Sequence, residues 1–170
     1  MIPTGYQCRV ECDSVSPTGK RLTTVVATYP RFVHAEFLTH RVFSRNSASS
    51  RAIPVEKMIE AVERDPVMPV WWGKNQAGMQ AREELTGDDL RLAKQAWLEA
   101  RDHAVDYAQE LTRRGLHKQV TNRILEAFSW ITTVITGTEW GGFFHQRCHP
   151  DAQPELKVME KMLRVALLPS

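Results

Sequence analysis

Thr39-His40-Arg41-Val42-Phe43-Ser44-Arg45-Asn46-Ser47-Ala48-Ser49-Ser50-Arg51 packs four serines, three arginines and a histidine into thirteen consecutive residues. A run like this ends any helix that enters it, because Ser and Asn side chains offer the backbone competing hydrogen bonds. Its chemistry suits a phosphate or another planar anion. Each guanidinium is a rigid fork of donors, and hydroxyls with loop amides complete a cradle. A solvated Ser-rich loop would have the same composition, so the flanking sequence has to decide between the two.

Upstream, Tyr6, Cys8, Val10 and Cys12 alternate with Gln7, Arg9, Glu11 and Asp13, the period-2 pattern of a half-buried strand. Ser16-Pro17-Thr18-Gly19-Lys20 is turn chemistry. The Thr- and Val-rich stretch over 22–29 then reads as the partner strand of a hairpin. Pro30 suits the first turn of a helix, predicted over 31–42 and ended by the Ser-rich run. Downstream, 55–63 predicts a short helix stopped near Asp65-Pro66. Residues 66–87 carry Pro66, Pro69, Gly73, Gly78, Gly87 and the pair Trp71-Trp72. They predict a long, ordered loop, since two adjacent Trp argue against disorder; such a pair is ordinarily buried packing. The clearest helix runs over 87–114, where Leu90, Ala93, Trp97, Ala100, Ala104, Ala108 and Leu111 step by three or four. Thr86 with Asp89 resembles a capping box, and Gly115 sits at the stop. A second helical region is predicted over 117–146, broken near Gly137 or Gly141-Gly142, and a last helix begins after Pro154. The class is α+β: a small antiparallel sheet with several long helices, one domain over 1–170.

With 170 residues, 42% hydrophobic and 25% charged, the chain has the makeup of a soluble globular domain that buries a core of its own. Its net charge of +2 is too balanced for a protein that coats nucleic acid. No apolar run approaches the roughly 18 residues of a membrane span, and the N-terminus lacks the basic-then-apolar form of a secretion signal. Three cysteines, an odd number, then read as a reduced, cytoplasmic chain. Cys8 and Cys12 fall on one face of the predicted strand, about 13 Å apart. That is too far for joint ligation of one tetrahedral zinc, so they read as core cysteines and no metal site is assigned, even with His145, Cys148 and His149 clustered later.

Two further segments carry isolated charge. Phe143-Phe144-His145-Gln146-Arg147 sets a cation behind two aromatics, and Gln119-Val120-Thr121-Asn122-Arg123-Ile124-Leu125-Glu126 holds Arg123 among apolar neighbours. Each alone has an ordinary explanation as a surface ion pair. In order along the chain, however, the segments resemble the flavin-dependent thymidylate synthases (the ThyX family). That family's signature is R-H-R, seven residues and S, often S-x-R. His40-Arg41 supplies the H-R, positions 42–48 the seven residues, and Ser49-Ser50-Arg51 the S-x-R. Gly115-Leu116-His117-Lys118 through Arg123-Ile124-Leu125 resembles a second block. Arg147 through Asp151-Ala152-Gln153-Pro154-Glu155 resembles a third.

The resemblance implies a ThyX-like fold and the conversion of dUMP to dTMP, with methylenetetrahydrofolate as carbon donor and NADPH as reductant through FAD. It implies that Thr39, His40 and Arg41 lie at the FAD, and that Ser49, Ser50, Arg51 and Arg123 hold dUMP. Arg147 would face the uracil, where a fixed cation stabilises developing negative charge. It also implies a homotetramer with shared sites. The chain departs from the family pattern at Thr39 (Arg in the signature), Ala52, Ala127 and the stretch Thr136-Gly137-Thr138-Glu139-Trp140-Gly141-Gly142. These departures touch the flavin side more than the nucleotide side. The alternative is therefore a degenerate, non-catalytic relative that still binds nucleotide. RNA or DNA binding through the Arg/Ser segment is a further alternative, disfavoured by the near-neutral charge.

Overall fold

The structure, a computed structural model, describes residues 2–167. In chain order the elements are β1 (Gln7–Val15), β2 (Arg21–Pro30), α1 (His34–Phe37), β3 (Ser44–Ser47), α2 (Val55–Arg64), α3 (Gly87–Arg113), α4 (Lys118–Thr121), β4 (Trp130–Gly137), α5 (Gly141–Arg147) and α6 (Pro154–Leu167). Short 3-10 turns lie at Arg31–Val33, Ser50–Ala52 and Asn122–Phe128. They group into two compact units. The first combines the chain up to Ala48 with the chain from Trp130 on, and the second is Ser49–Ser129.

The first unit is built on a four-stranded antiparallel sheet in the order β1-β2-β4-β3. Val25, Ala27 and Tyr29 of β2 and Ile131, Thr133 and Ile135 of β4 share the covered face, with α6 packed on it through Leu156, Met159 and Leu163. The predicted hairpin is present as β1-β2. The predicted helical region over 117–146 holds only at its ends, as α4 with the following 3-10 turn and as α5. Its centre is the strand Trp130–Gly137, six of whose eight residues are β-branched and lose side-chain freedom in a helix. Thr133, facing inward among isoleucines, hides the alternation from a polar-against-apolar reading. On the outer face Thr24 and Thr136 hydroxyls pair at 2.8 Å, and Thr28 and Thr132 at 2.9 Å, the cross-strand ladder of a sheet. The helix predicted over 31–42 is a 3-10 turn plus the single turn α1. It stops early because Ser44–Ser47, inside the Ser-rich run, is itself a strand paired to β4.

β1 corrects two further expectations. Its register shifts by one residue between Val10 and Cys12, a bulge that leaves Glu11 as the extra residue and reverses every later side chain. Cys8 stands opposite Ala27 on the covered face, and Cys12 stands opposite Thr24 on the other. The two thiols therefore do not share a face, and Cys12 is exposed rather than in the core. Val10 is exposed as well.

The second unit packs α2 against α3 and the 3-10 turn over Asn122–Phe128, around Met58, Val62, Val105, Ala108 and Leu125. The helix predicted over 87–114 is observed as α3, and Gly115 ends it at φ +79. Leu116 N–H donates to Leu111 O at 3.0 Å and Gly115 N–H to Thr112 O at 2.9 Å, the paired bonds of a Schellman stop. The capping box is not made: Thr86 caps without a side-chain hydrogen bond. The loop between α2 and α3 is ordered by a bridge between Gly73 and Glu84. Trp71 on it is exposed, and Trp72 meets Trp97 edge-on at 6.2 Å. Among the described residues no helix is long and apolar enough to cross a membrane.

Candidate active site

In the first unit the corner after α1 and the end of α5 come together. Phe37, Phe43 and Phe143 form an aromatic cluster beneath them. Arg45, from β3, folds back over the Phe37 ring and donates to three carbonyls: Phe37 O at 3.3 Å, Leu38 O at 3.0 Å and His40 O at 2.7 Å. One guanidinium thus fixes the corner that presents Thr39, His40 and Arg41. Its signal in the sequence was an arginine four residues past Arg41; its role as a clamp required the strand that sequence reading missed.

His40 is buried and lies edge-on to Phe143 with centroids 4.9 Å apart. Arg147, the last residue of α5, donates from Nε to His40 Nε2 at 2.7 Å. Its Nη2 lies 3.5 Å from Thr39 Oγ1, and its Nη1 3.9 Å from Glu36 Oε2. Burial first, then the charges of Arg147 and Arg45, lower the His40 pKa to about 4. The imidazole is therefore neutral near pH 7 and serves Arg147 as an acceptor. The hydrogen-bond acceptors of Arg147 are thus uncharged, and its carboxylate neighbour Glu36 makes a long ion pair with it rather than a hydrogen bond. Thr39 donates its hydroxyl to Glu36 O at 2.7 Å, and Arg41 is exposed.

The second unit holds the rest of the sequence-predicted set. Ser49 and Arg51 are exposed on either side of Ser50. Ser50 itself is buried, and its hydroxyl donates to Glu126 Oε1 at 2.5 Å. Arg123 Nη1 donates to the same oxygen at 2.9 Å. Asn122, fully buried, donates from Nδ2 to Ser50 O at 2.8 Å and Ile53 O at 2.9 Å, and Lys118 Nζ donates to Ala52 O at 3.1 Å. The segment over 49–53 is thereby pinned by the carbonyls of Ser50, Ala52 and Ile53, while Ser49 and Arg51 stay exposed. Glu126 and Asn122 were not among the predicted site residues. Glu126 follows Arg123 by three positions, the spacing of a helical ion pair, and that was the available signal.

The sequence profile described as "Thymidylate synthase complementing protein" (Thy1) matches residues 20–168, and the chain belongs to that family. A comparison with curated proteins gave no significant match. Among solved structures the chain resembles a UMP/dUMP methylase, PolB from Streptomyces cacaoi. In the form bound with 5-Br dUMP the likeness has a TM-score of 0.68 at 18% identity, covering 89% of this chain and 68% of that one. In the form bound with 5-Br UMP it has a TM-score of 0.71 at 14% identity, covering 96% and 89%. At such identities the likeness is one of fold.

Proposed function

We propose that this protein methylates C5 of a uracil nucleotide monophosphate, converting dUMP to dTMP with methylenetetrahydrofolate as carbon donor and NADPH as reductant. The observation that carries the reading is Arg147, a guanidinium oriented by neutral His40 and Thr39. A uracil with enolate character at C5 carries its negative charge over C5 and the C4 carbonyl oxygen, and a fixed cation facing that oxygen stabilises it. Arg147 takes the base. Ser49, Arg51 and Arg123 take the phosphate, Arg51 by its fork and Arg123 once it leaves Glu126. Ser50, buried with its hydroxyl on Glu126, acts on the nucleotide side by shaping the turn that carries Ser49 and Arg51.

FAD is the cofactor that goes with this reading. The donors present suit it at the 39–41 corner, where exposed Arg41 matches a diphosphate. A Cβ added at Gly142 would meet nothing within 4 Å, so the backbone at the start of α5 is open to close approach. When bound, flavin supplies the hydride chemistry that no side chain here supplies. The assembly that accompanies the reading is a homotetramer.

Incubating the protein with FAD, NADPH, methylenetetrahydrofolate and either dUMP or UMP, followed by mass analysis of the nucleotide, tests this. A 14-Da gain on one of the two is expected, as set by a methylene plus a hydride replacing a hydrogen. Arg147→Ala should lose at least about 100-fold in turnover, as for a fixed transition-state donor, with its far-UV spectrum unchanged. No mass gain on either nucleotide, with dUMP still bound, would favour the non-catalytic, nucleotide-binding relative.

A further inference from the structure

Two hydrogen bonds from Arg147 join the 39–41 corner to α5, and the shorter one fixes the protonation of its acceptor. Arg147 Nε donates to His40 Nε2 at 2.7 Å. A nitrogen that accepts from a guanidinium carries no proton, so the imidazole hydrogen lies on Nδ1. The ring has little freedom to leave: it is 8% exposed, wedged between Phe143 and Phe37, with its own carbonyl clamped by Arg45. The charged groups facing this pair are Arg147 from α5, Arg45 from β3 and, 3.9 Å from Arg147, Glu36 from α1. A carboxylate in place of His40 would also orient Arg147, but as a charge-assisted pair it would cancel the cation that a developing anion needs.

We propose that His40 is a positioning residue for the reaction, whose neutral Nε2 takes the Arg147 Nε–H and holds that guanidinium in place for the pyrimidine without adding a negative charge beside it. The proposal rests on the reading of Arg147 as the group that faces uracil. It gives His40 a function distinct from the flavin contact implied by the family resemblance. Thr39 Oγ1, the second acceptor, is neutral as well, so the same logic holds on both edges of the guanidinium.

Two measurements test it. In the uniformly 15N-labelled protein the ring-nitrogen shifts of His40 report the tautomer without any turnover. A protonated Nδ1 and a bare Nε2 are expected, and a protonated Nε2 overturns the proposal. Turnover of dUMP is then compared among His40→Gln, His40→Leu and His40→Glu in the full chain. Gln keeps a neutral acceptor, Leu removes it, and Glu replaces it with an anion. His40→Leu should lose about 30-fold in kcat with KM for dUMP changed less than about 3-fold, since an interaction made mainly in the transition state is lost. His40→Gln should recover most of that loss, and His40→Glu should not. Equal losses in Gln and Leu contradict the proposal, because a purely structural histidine would make that pattern. Should no variant fold, the tautomer decides alone. If the wild type methylates no uracil nucleotide, the parent reading falls and this role falls with it. The NMR result still distinguishes that case from a missing His40–Arg147 bond in an active enzyme.

Discussion

At the scale of single residues, the two units hold their cations differently. In the first, Arg147 donates to neutral His40 with Glu36 3.9 Å away; in the second, Arg123 and Ser50 share one oxygen of Glu126. Arg51 stays outward beside them. If its planar fork grips the nucleotide phosphate, Arg51→Lys should weaken dUMP binding about tenfold, because an ammonium is a point charge without the bidentate geometry. Calorimetric titration with dUMP checks this, and unchanged affinity would place the phosphate elsewhere. The 39–51 run, with Arg123 and Arg147, was singled out from residue type, spacing and the family resemblance. Their partners were not. Glu126 and Asn122 gain meaning only once the Ser50 turn folds against them, and the clamp made by Arg45 depends on a strand that a Ser-rich composition conceals.

At the scale of elements, hairpins and helices with clear stops were read from local chemistry, because turn residues and Gly115 act within a few positions. β4 was misread because its inward positions alternate isoleucine with threonine, and its strand state is secured by β2 and β3 rather than by its own sequence. The bulge in β1 was equally invisible: one extra residue changes which thiol faces the core without changing the pattern of residue types. The end of β4 offers a test of how tightly this arrangement is packed. A Cβ at Gly137 would lie 2.7 Å from Phe43 Cδ1 and 3.0 Å from Cε1, inside the aromatic cluster beneath the site. Gly137→Ala should therefore destabilise by about 1–3 kcal/mol, as overpacking does. Gly142→Ala, in a helix with open space around the added methyl, should be neutral or stabilising by about 0.5–1 kcal/mol. Urea unfolding of the two variants measures both, and equal midpoints would mean that the Phe43 side chain yields freely.

At the scale of the whole molecule, the sequence fell within reach of a family because three blocks lie in order, while composition alone stopped at a globular α+β domain. The acid response of the fold is a global consequence of the site. His40 is held at about 4 against an ordinary 6.5, and His34 is lowered too, in both cases chiefly by burial. The unfolded chain takes up protons at these rings as pH drops through 6.5, and the folded chain does so only near 4 at His40. The contribution of these groups is thus complete above about 6.5 and is lost progressively between there and about 4. Urea midpoints should fall over that window, with a shallower fall in His40→Gln; a flat profile would contradict the burial of His40. The measurement that bears most directly on the central claim is the visible spectrum of the protein with FAD, titrated with dUMP. A bound-flavin band that shifts saturably with dUMP, and does not shift in Arg147→Ala, is the predicted result. A flavin spectrum indifferent to dUMP, or no flavin bound at excess FAD, would contradict a flavin-dependent methylase built around Arg147.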